Sequence, residues 1–357
     1  MGTLFDYIEW RGDIQFSTIG VGEIDNLIFS QICYIDFKRI VPASFTARPV
    51  SFLAAAKKYM QAHKGETVNL GAIMPAEVVA LTAKAARSAR FSATSMIGYV
   101  NRVSAVDQTQ FSAVTFLIGE DTCFVAFRGT DDTIVGWKES FSMSFMCPIP
   151  AQRESVKYLN GIADAFPDRK IYVGGHSKGG NLAVYSSVKC REDVNRRIAA
   201  VYNNDGPGFD REFLESKEYV ATRDRICTIV PQSSVVGMML EHEENYEVVQ
   251  SSMNGLLQHN AFFWNVSGNK FVRNGEVTEQ SKRIDRTLKD WMNEMPAEQR
   301  KKTIDSMYEI LSAANVKTLS DLNADKLKLL KAWSSLDADS KKVIKRLVSI
   351  TTKRVKK

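Results

Sequence analysis

Apolar residues along the chain recur with two periods. Phe111 to Ile118 and Thr122 to Phe127 are aromatic and β-branched runs separated by Gly119-Glu120-Asp121, a spacing that predicts a β-hairpin. Ile171 to Gly174, Ile198 to Asn204 and Ile226 to Val230 predict further strands, with helical patterns between them at Ser155 to Phe166 and Leu182 to Cys190. Strands alternating with helices predict a mainly parallel sheet with helices on both faces. Ahead of these strands three helical stretches are expected. One is capped by Asp25 and Asn26 and carries Leu27, Ile28, Ile32 and Ile35; a second covers 48–62; a third starts near Pro75 and ends around Arg90. They precede any strong strand, so they are expected to pack over the sheet as a cover. After residue 280 the pattern is helical only. Ile284, Leu288, Trp291, Met292 and Met295 share one stripe, Pro296 ends it, and helical runs are expected over 297–313, 321–335 and 338–350.

Length and charge refine this division. A chain of 357 residues, 44% hydrophobic and 25% charged, suits one α/β core of about 250 residues plus an appendage. Residues 281–357 hold 19 Lys and Arg against 10 Asp and Glu, a net +9, which leaves 28 against 31, a net −3, for residues 1–280. The basicity belongs to the helical tail, where mixed signs predict a solvated face. Only Lys353 to Lys357 forms a basic cluster, and nucleic-acid binding is not expected. The five cysteines are odd in number, widely spaced and set in apolar surroundings, without metal-ligand or disulfide spacing. With an opening segment that lacks a basic then apolar leader pattern, and no run of about 18 apolar residues, the expected compartment is the reducing cytoplasm.

The stretch with the clearest chemistry is Lys170 to Ala183. A β-type run ends in Gly175-His176-Ser177-Lys178-Gly179 and a helical run follows at once, which predicts a strand, a sharp turn and a helix with Ser177 as an exposed nucleophile. Such a serine needs a base within hydrogen-bond reach. Of the four histidines, His63 lies at a helix end, His176 is expected to buttress the turn, and His242 sits in an acidic run that resembles a solvated helical face. His259, in a polar island before an aromatic run, is the candidate base. Asp205 closes the strand after the nucleophile helix and is the candidate orienting acid or a turn-making aspartate; Glu241 is the alternative. Oxyanion donors are expected from the Lys178 N–H and from Thr130, in the loop Phe127-Arg128-Gly129-Thr130 that follows a strand. Val235 to Leu240 and Met143 to Ile149 could wall an acyl pocket.

Phe127-Arg128-Gly129-Thr130, about fifty residues before Gly175 to Gly180, resembles the class 3 (fungal-type) lipase family. The chain is more similar still to a bacterial branch of that superfamily marked by four ordered motifs. They correspond here to Asp6 to Asp13, Gly174 to Ala183, Asp205 to Phe209 and Gln258 to Trp264. The resemblance covers residues 3–270 and implies an α/β-hydrolase fold, Ser177 as nucleophile, His259 as base, and Thr130 and Lys178 as oxyanion donors. Lys178 stands where those lipases carry an apolar residue, and Ser233 where their aspartate would fall.

The expectation is therefore an α/β-hydrolase domain with an N-terminal helical cover over 1–280 and a basic all-α region over 281–357. It would cleave a carboxylic ester or thioester through an acyl-Ser177 intermediate, with a small acyl ester or lipid-like substrate, room for peripheral membrane contact, and no metal or organic cofactor. The alternative is a catalytically retired hydrolase fold that binds a partner through its basic helical tail.

Overall fold

Alternate side chains of one hairpin enter two different cores. Val114, Phe116, Phe124 and Ala126 face one side, while Ala113, Leu117, Val125 and Phe127 face the other. A strand's side chains point to opposite faces with period two, so strands buried throughout need cover on both sides. The computed structural model, which describes residues 1–66, 76–313, 316–318, 320, 321, 333, 334 and 341, shows what supplies that cover. On the first face lie α1 (Leu4–Arg11), α2 (Glu23–Ile32), α3 (Phe52–Ala62) and α4 (Glu77–Arg87), packed through Leu27, Phe29, Phe52 and Leu81.

The sheet runs β1 (Val50–Ser51), β2 (Ser95–Ser104), β3 (Thr109–Ile118), β4 (Thr122–Phe127), β5 (Lys170–His176), β6 (Ile198–Asn204), β7 (Ile226–Pro231) and β8 (Tyr246–Val249), in chain order. The first four pair antiparallel, and β4 to β8 are parallel. Parallel neighbours need long crossovers. After α5 (Ile134–Ser142), α6 (Pro150–Ala165) and α7 (Lys178–Lys189) fill the β4–β5 and β5–β6 crossovers and cover the second face through Leu159, Ile162, Leu182 and Ala183. The carboxyl ends of β4, β5 and β6 thus deliver Arg128 to Thr130, Ser177 and Asp205 to one edge, where ligands of such sheets bind. Two further helices follow, α8 (Glu279–Glu294) and α9 (Ala297–Ala313). α9 leans on α5: Asp305 pairs with Lys138 at 2.7 Å, and that ammonium lies 4.6 Å from the Tyr308 ring. Among the described residues no helix is long and apolar enough to cross a membrane.

Five of these elements have no expected counterpart, among them α1 and β1, the latter lying where the helix expected over 48–62 starts only at Phe52. Strand β2 pairs an apolar inner half, Met96 to Val100, with an exposed outer half at Asn101, Arg102 and Val103, and its pairing with β1 and β3 makes it a strand. β8 is four residues long, and α5 follows the loop after β4 directly. The helix expected to be capped by Asp25 and Asn26 starts earlier, at Glu23, with Gly22 as its cap. Asp25 occupies its third position and accepts the Gly22 N–H at 2.9 Å. The run expected to end at Arg90 breaks at Ser88, which caps a short turn of helix, Ala89–Ser92. Pro75 and most of the runs expected at 321–335 and 338–350 lie outside the described residues.

The displaced cap has a purpose. Asp25 and Arg90 are each 1% exposed, and the guanidinium donates to both carboxylate oxygens at 2.7 and 2.6 Å. Arg90 also donates to the carbonyls of Ile14, Ile19 and Gly20, and Tyr7 donates to Asp25 at 2.8 Å. The Asp6 to Asp13 motif is thereby tied to α2 and to the segment after α4. Breaking a buried pair leaves an uncompensated charge, so Arg90→Leu should cost about 3–5 kcal/mol of stability. Urea unfolding of the variant beside wild type measures it.

Candidate active site

Ser177 adopts φ 58° and ψ −132°, a left-handed conformation that a non-glycine residue holds only when its surroundings impose it. Those surroundings are backbone. A Cβ on Gly179 would lie 2.2 Å from the Phe127 carbonyl oxygen, and one on Gly175 would lie 2.3 Å from the Gly179 backbone. Without side chains there, β5, α7 and the end of β4 touch directly, and the serine is pushed to the rim. The Ser177 N–H donates to the Asn204 carbonyl at 2.9 Å. Asn204 in turn exchanges side-chain hydrogen bonds with Asn26 at 2.9 and 3.1 Å and donates to the Gly175 carbonyl at 2.9 Å. Asn26 is therefore a buried brace from α2 to the elbow, not a helix cap.

His259 ends a 3-10 turn, Gly255–His259, and its Nδ1–H donates to Asp205 Oδ2 at 2.6 Å. Asp205 is fully buried, and its other oxygen accepts from Ser234 Oγ at 2.5 Å and the Gly237 N–H at 3.2 Å. Its φ of 52° lies in the region that aspartate tolerates better than most residues. With Nδ1 protonated and engaged, His259 Nε2 carries a lone pair, and the ring remains 23% exposed. The loop is pinned by its own motif. Gln258 Oε1 accepts the Ser233 N–H at 2.7 Å, and Trp264 Nε1 donates to the Gln258 carbonyl at 2.8 Å.

His176 packs against His259, with ring centroids 4.6 Å apart, and its Nε2–H donates to the His259 carbonyl at 2.8 Å. Its Nδ1 accepts from the Tyr34 hydroxyl at 3.3 Å. Burial, reinforced by the neighbouring His259, lowers its pKa from 6.5 to about 3, so it stays neutral. The other candidates lie elsewhere. His63 bonds to the Tyr59 carbonyl, Glu241 pairs with Lys289 at 3.2 Å, and Ser233 touches Thr278. His242 is not on a solvated helical face: its side chain is 7% exposed and meets Glu244 Oε1 at 3.0 Å. Although burial alone would raise it, Glu244 is held down to about 2 by hydrogen bonds from His242, Thr228 and Tyr219.

The loop after β4 passes against the elbow. A Cβ on Gly129 would lie 2.2 Å from the Tyr34 hydroxyl, 2.7 Å from the His176 carbonyl and 3.2 Å from Ser177 Cβ. Ser140 Oγ donates to the Gly136 carbonyl at 2.9 Å, so Thr130 Oγ1 donates to Ser140, at 2.6 Å. The Thr130 hydroxyl is thus engaged within this segment, and Lys178 opens the first turn of α7, where a backbone N–H has no intrahelical acceptor. Ser177, His259 and Thr130 line one cavity of about 480 Å³. Its apolar walls include Trp137, Phe141, Met143, Val236, Met239 and Leu240, with Leu257 at 61% exposure. Of the two apolar runs, Met238 and Ile149 instead join the packed cores. Tyr34, Ser140 and Phe141 had no signal in the sequence, because only the fold brings α2 and α5 to this edge.

Among proteins of known structure the chain is similar to several lipases. The Rhizomucor miehei lipase, in a propeptide complex, is 18% identical with a TM-score of 0.35, over 46% of this chain and 58% of that one. Lip2 lipase from Yarrowia lipolytica is 12% identical with a TM-score of 0.35, over 71% and 97%. Lipase II from Rhizopus niveus is 14% identical with a TM-score of 0.33, over 48% and 71%. The chain thus spans less than two thirds of the Rhizomucor protein. No curated protein matches it. The parallel sheet, its flanking helices and the strand-turn-helix at Ser177 make this a lipase-like α/β-hydrolase fold. The Mbeg1-like family model matches residues 85–309, which include Thr130, Ser177, Asp205 and His259, and the chain belongs to the Mbeg1-like family.

Proposed function

We propose that this protein is a serine hydrolase that cleaves a carboxylic ester or thioester. The observation that carries the proposal is the 2.6 Å bond from His259 Nδ1–H to buried Asp205, made at the wall of the cavity onto which Ser177 opens. The bond holds the imidazole in the tautomer whose free Nε2 can take a proton. Ser177 Oγ attacks the carbonyl carbon as His259 Nε2 accepts its proton, and the carbonyl oxygen takes the negative charge. The N–H groups of Thr130 and Lys178 receive that charge. Collapse expels the alcohol or thiol, protonated by His259. Water, deprotonated by the same nitrogen, then releases the acid and restores Ser177.

His176 cannot replace His259, since both its nitrogens are occupied and it stays neutral. The apolar cavity walls suit an acyl chain. An orienting acid for the histidine also favours a working hydrolase over a retired scaffold.

A fluorophosphonate probe tests the proposal. Wild type should be labelled and Ser177→Ala should not; equal silence from both folded proteins would sink it. Asp205→Asn should lower kcat by about 10³–10⁴-fold on a short-chain p-nitrophenyl ester, with the fold retained by circular dichroism. His176 makes a separate prediction about acid. Below pH 6.5 the unfolded chain protonates this histidine, whereas the folded one refuses the proton until about pH 3. Stability should therefore fall across that window by about 1.4 kcal/mol per pH unit from this group. In His176→Asn, urea midpoints measured between pH 6 and pH 4 should show a slope shallower by about one proton.

A further inference from the structure

Lys178, next to the nucleophile, is 1% exposed at its side chain, yet its Nζ is fully engaged. Its ammonium donates to the Gln110 carbonyl at 2.8 Å, to Gln110 Oε1 at 2.6 Å and to Glu139 Oε2 at 2.9 Å, which uses all three protons. Both oxygens of Glu139 are engaged as well. Oε2 also accepts the Gln110 N–H at 3.0 Å, and Oε1 accepts the Ala151 N–H at 2.8 Å, in the first turn of α6. Gln110 then reaches the other side of the site, where its Nε2 lies 3.4 Å from the Gly129 carbonyl. Glu139 precedes Ser140, the hydroxyl that accepts from Thr130. The cluster therefore joins five elements: α7 through Lys178, β3 through Gln110, α5 through Glu139, α6 through Ala151, and the loop that holds Gly129 and Thr130.

Stability does not explain this arrangement. A buried ion pair pays heavily for lost solvation, and apolar residues of similar volume are commonly as stable. What a saturated ionic cluster supplies is a fixed distance between the segments it ties. The two segments tied here are those that carry the Thr130 and Lys178 N–H groups.

We propose that Lys178, Glu139 and Gln110 are positioning residues. Without touching substrate, they set the spacing of the two backbone donors that receive the oxyanion. The inference rests on the hydrolase proposal above, because the donors matter only if an oxyanion forms. A displacement of about 1 Å at such donors is worth on the order of 100-fold in rate.

The test is the double variant Lys178→Met with Glu139→Leu, which keeps the residue-178 N–H and replaces both charges by apolar side chains. Unfolding midpoint, kcat and KM on a p-nitrophenyl ester, and the rate of fluorophosphonate labelling are measured beside wild type. The expected result is a folded protein with KM within about twofold, and with kcat and labelling rate reduced about 10- to 100-fold. A folded double variant with wild-type kcat and labelling rate overturns the inference and leaves the hydrolase proposal standing. If wild type itself neither turns over ester nor reacts with the probe, the hydrolase proposal falls and this one with it. Should the double variant not fold, Gln110→Met keeps the Lys178–Glu139 ion pair and removes the side-chain link to Gly129 together with the Oε1 that accepts from Lys178. It should lower kcat by about 3- to 10-fold without moving KM, and an unchanged kcat overturns the inference.

Discussion

Backbone meets backbone where β4, β5 and α7 converge, and the rest of the site is arranged around that contact. Gly179 lies so close to the Phe127 carbonyl that any side chain would collide with it. The same packing holds Ser177 at φ 58° and brings the loop from Arg128 to Thr130 within reach of the serine. Moving the helix outward to admit a methyl group would carry Ser177 and Lys178 together away from the loop that holds Thr130. The glycines therefore act by permitting an approach, and every polar group of the site is measured from it.

Buried polar groups then lock this geometry from outside. Asn26 and Asn204 brace the elbow from α2, Arg90 and Asp25 bind the N-terminal segments to the same face, and Lys178 with Glu139 spans the opposite side. Each is satisfied by several partners. Apolar packing in the two cores tolerates some sliding, whereas a hydrogen bond is lost within a fraction of an ångström. The cores hold the sheet together; the polar braces specify where its carboxyl edge stands. α9 adds support from outside the sheet, since Asp305 and Tyr308 hold Lys138 on the helix that also carries Glu139 and Ser140.

Much of this was legible in the chain. The hairpin at β3 and β4, the parallel strands β5 to β7 and the strand-turn-helix at Ser177 follow from local pattern, because period-two burial and glycine sterics act over a few residues. β2 was not legible, since its outer half is largely polar and its strand character is completed by pairing with β1 and β3. Asn26 resembled a cap because capping is the local use of an asparagine, and its partner Asn204 is 178 residues away. His242 resembled a solvated residue because its neighbours are acidic, while Glu244 turns inward to meet it.

The sequence by itself determined the chemistry on offer: a serine in a turn that only glycines allow, a histidine in a polar island, an aspartate at a strand end. Tertiary structure decided which of these meet. Asp205 and His259 are 54 residues apart, and no local rule sets whether the aspartate closes a turn or bonds a histidine. That choice was made when the β6 end and the Gln258 to Trp264 segment were brought to one edge of the sheet. Lys178 shows the same division. Its position beside Ser177 is a matter of sequence, but burying an ammonium there depends on Gln110 and Glu139 arriving from other elements to take its three protons. Short-range sterics can be read from neighbours in the chain; a buried charge can be read only once its partners are in place.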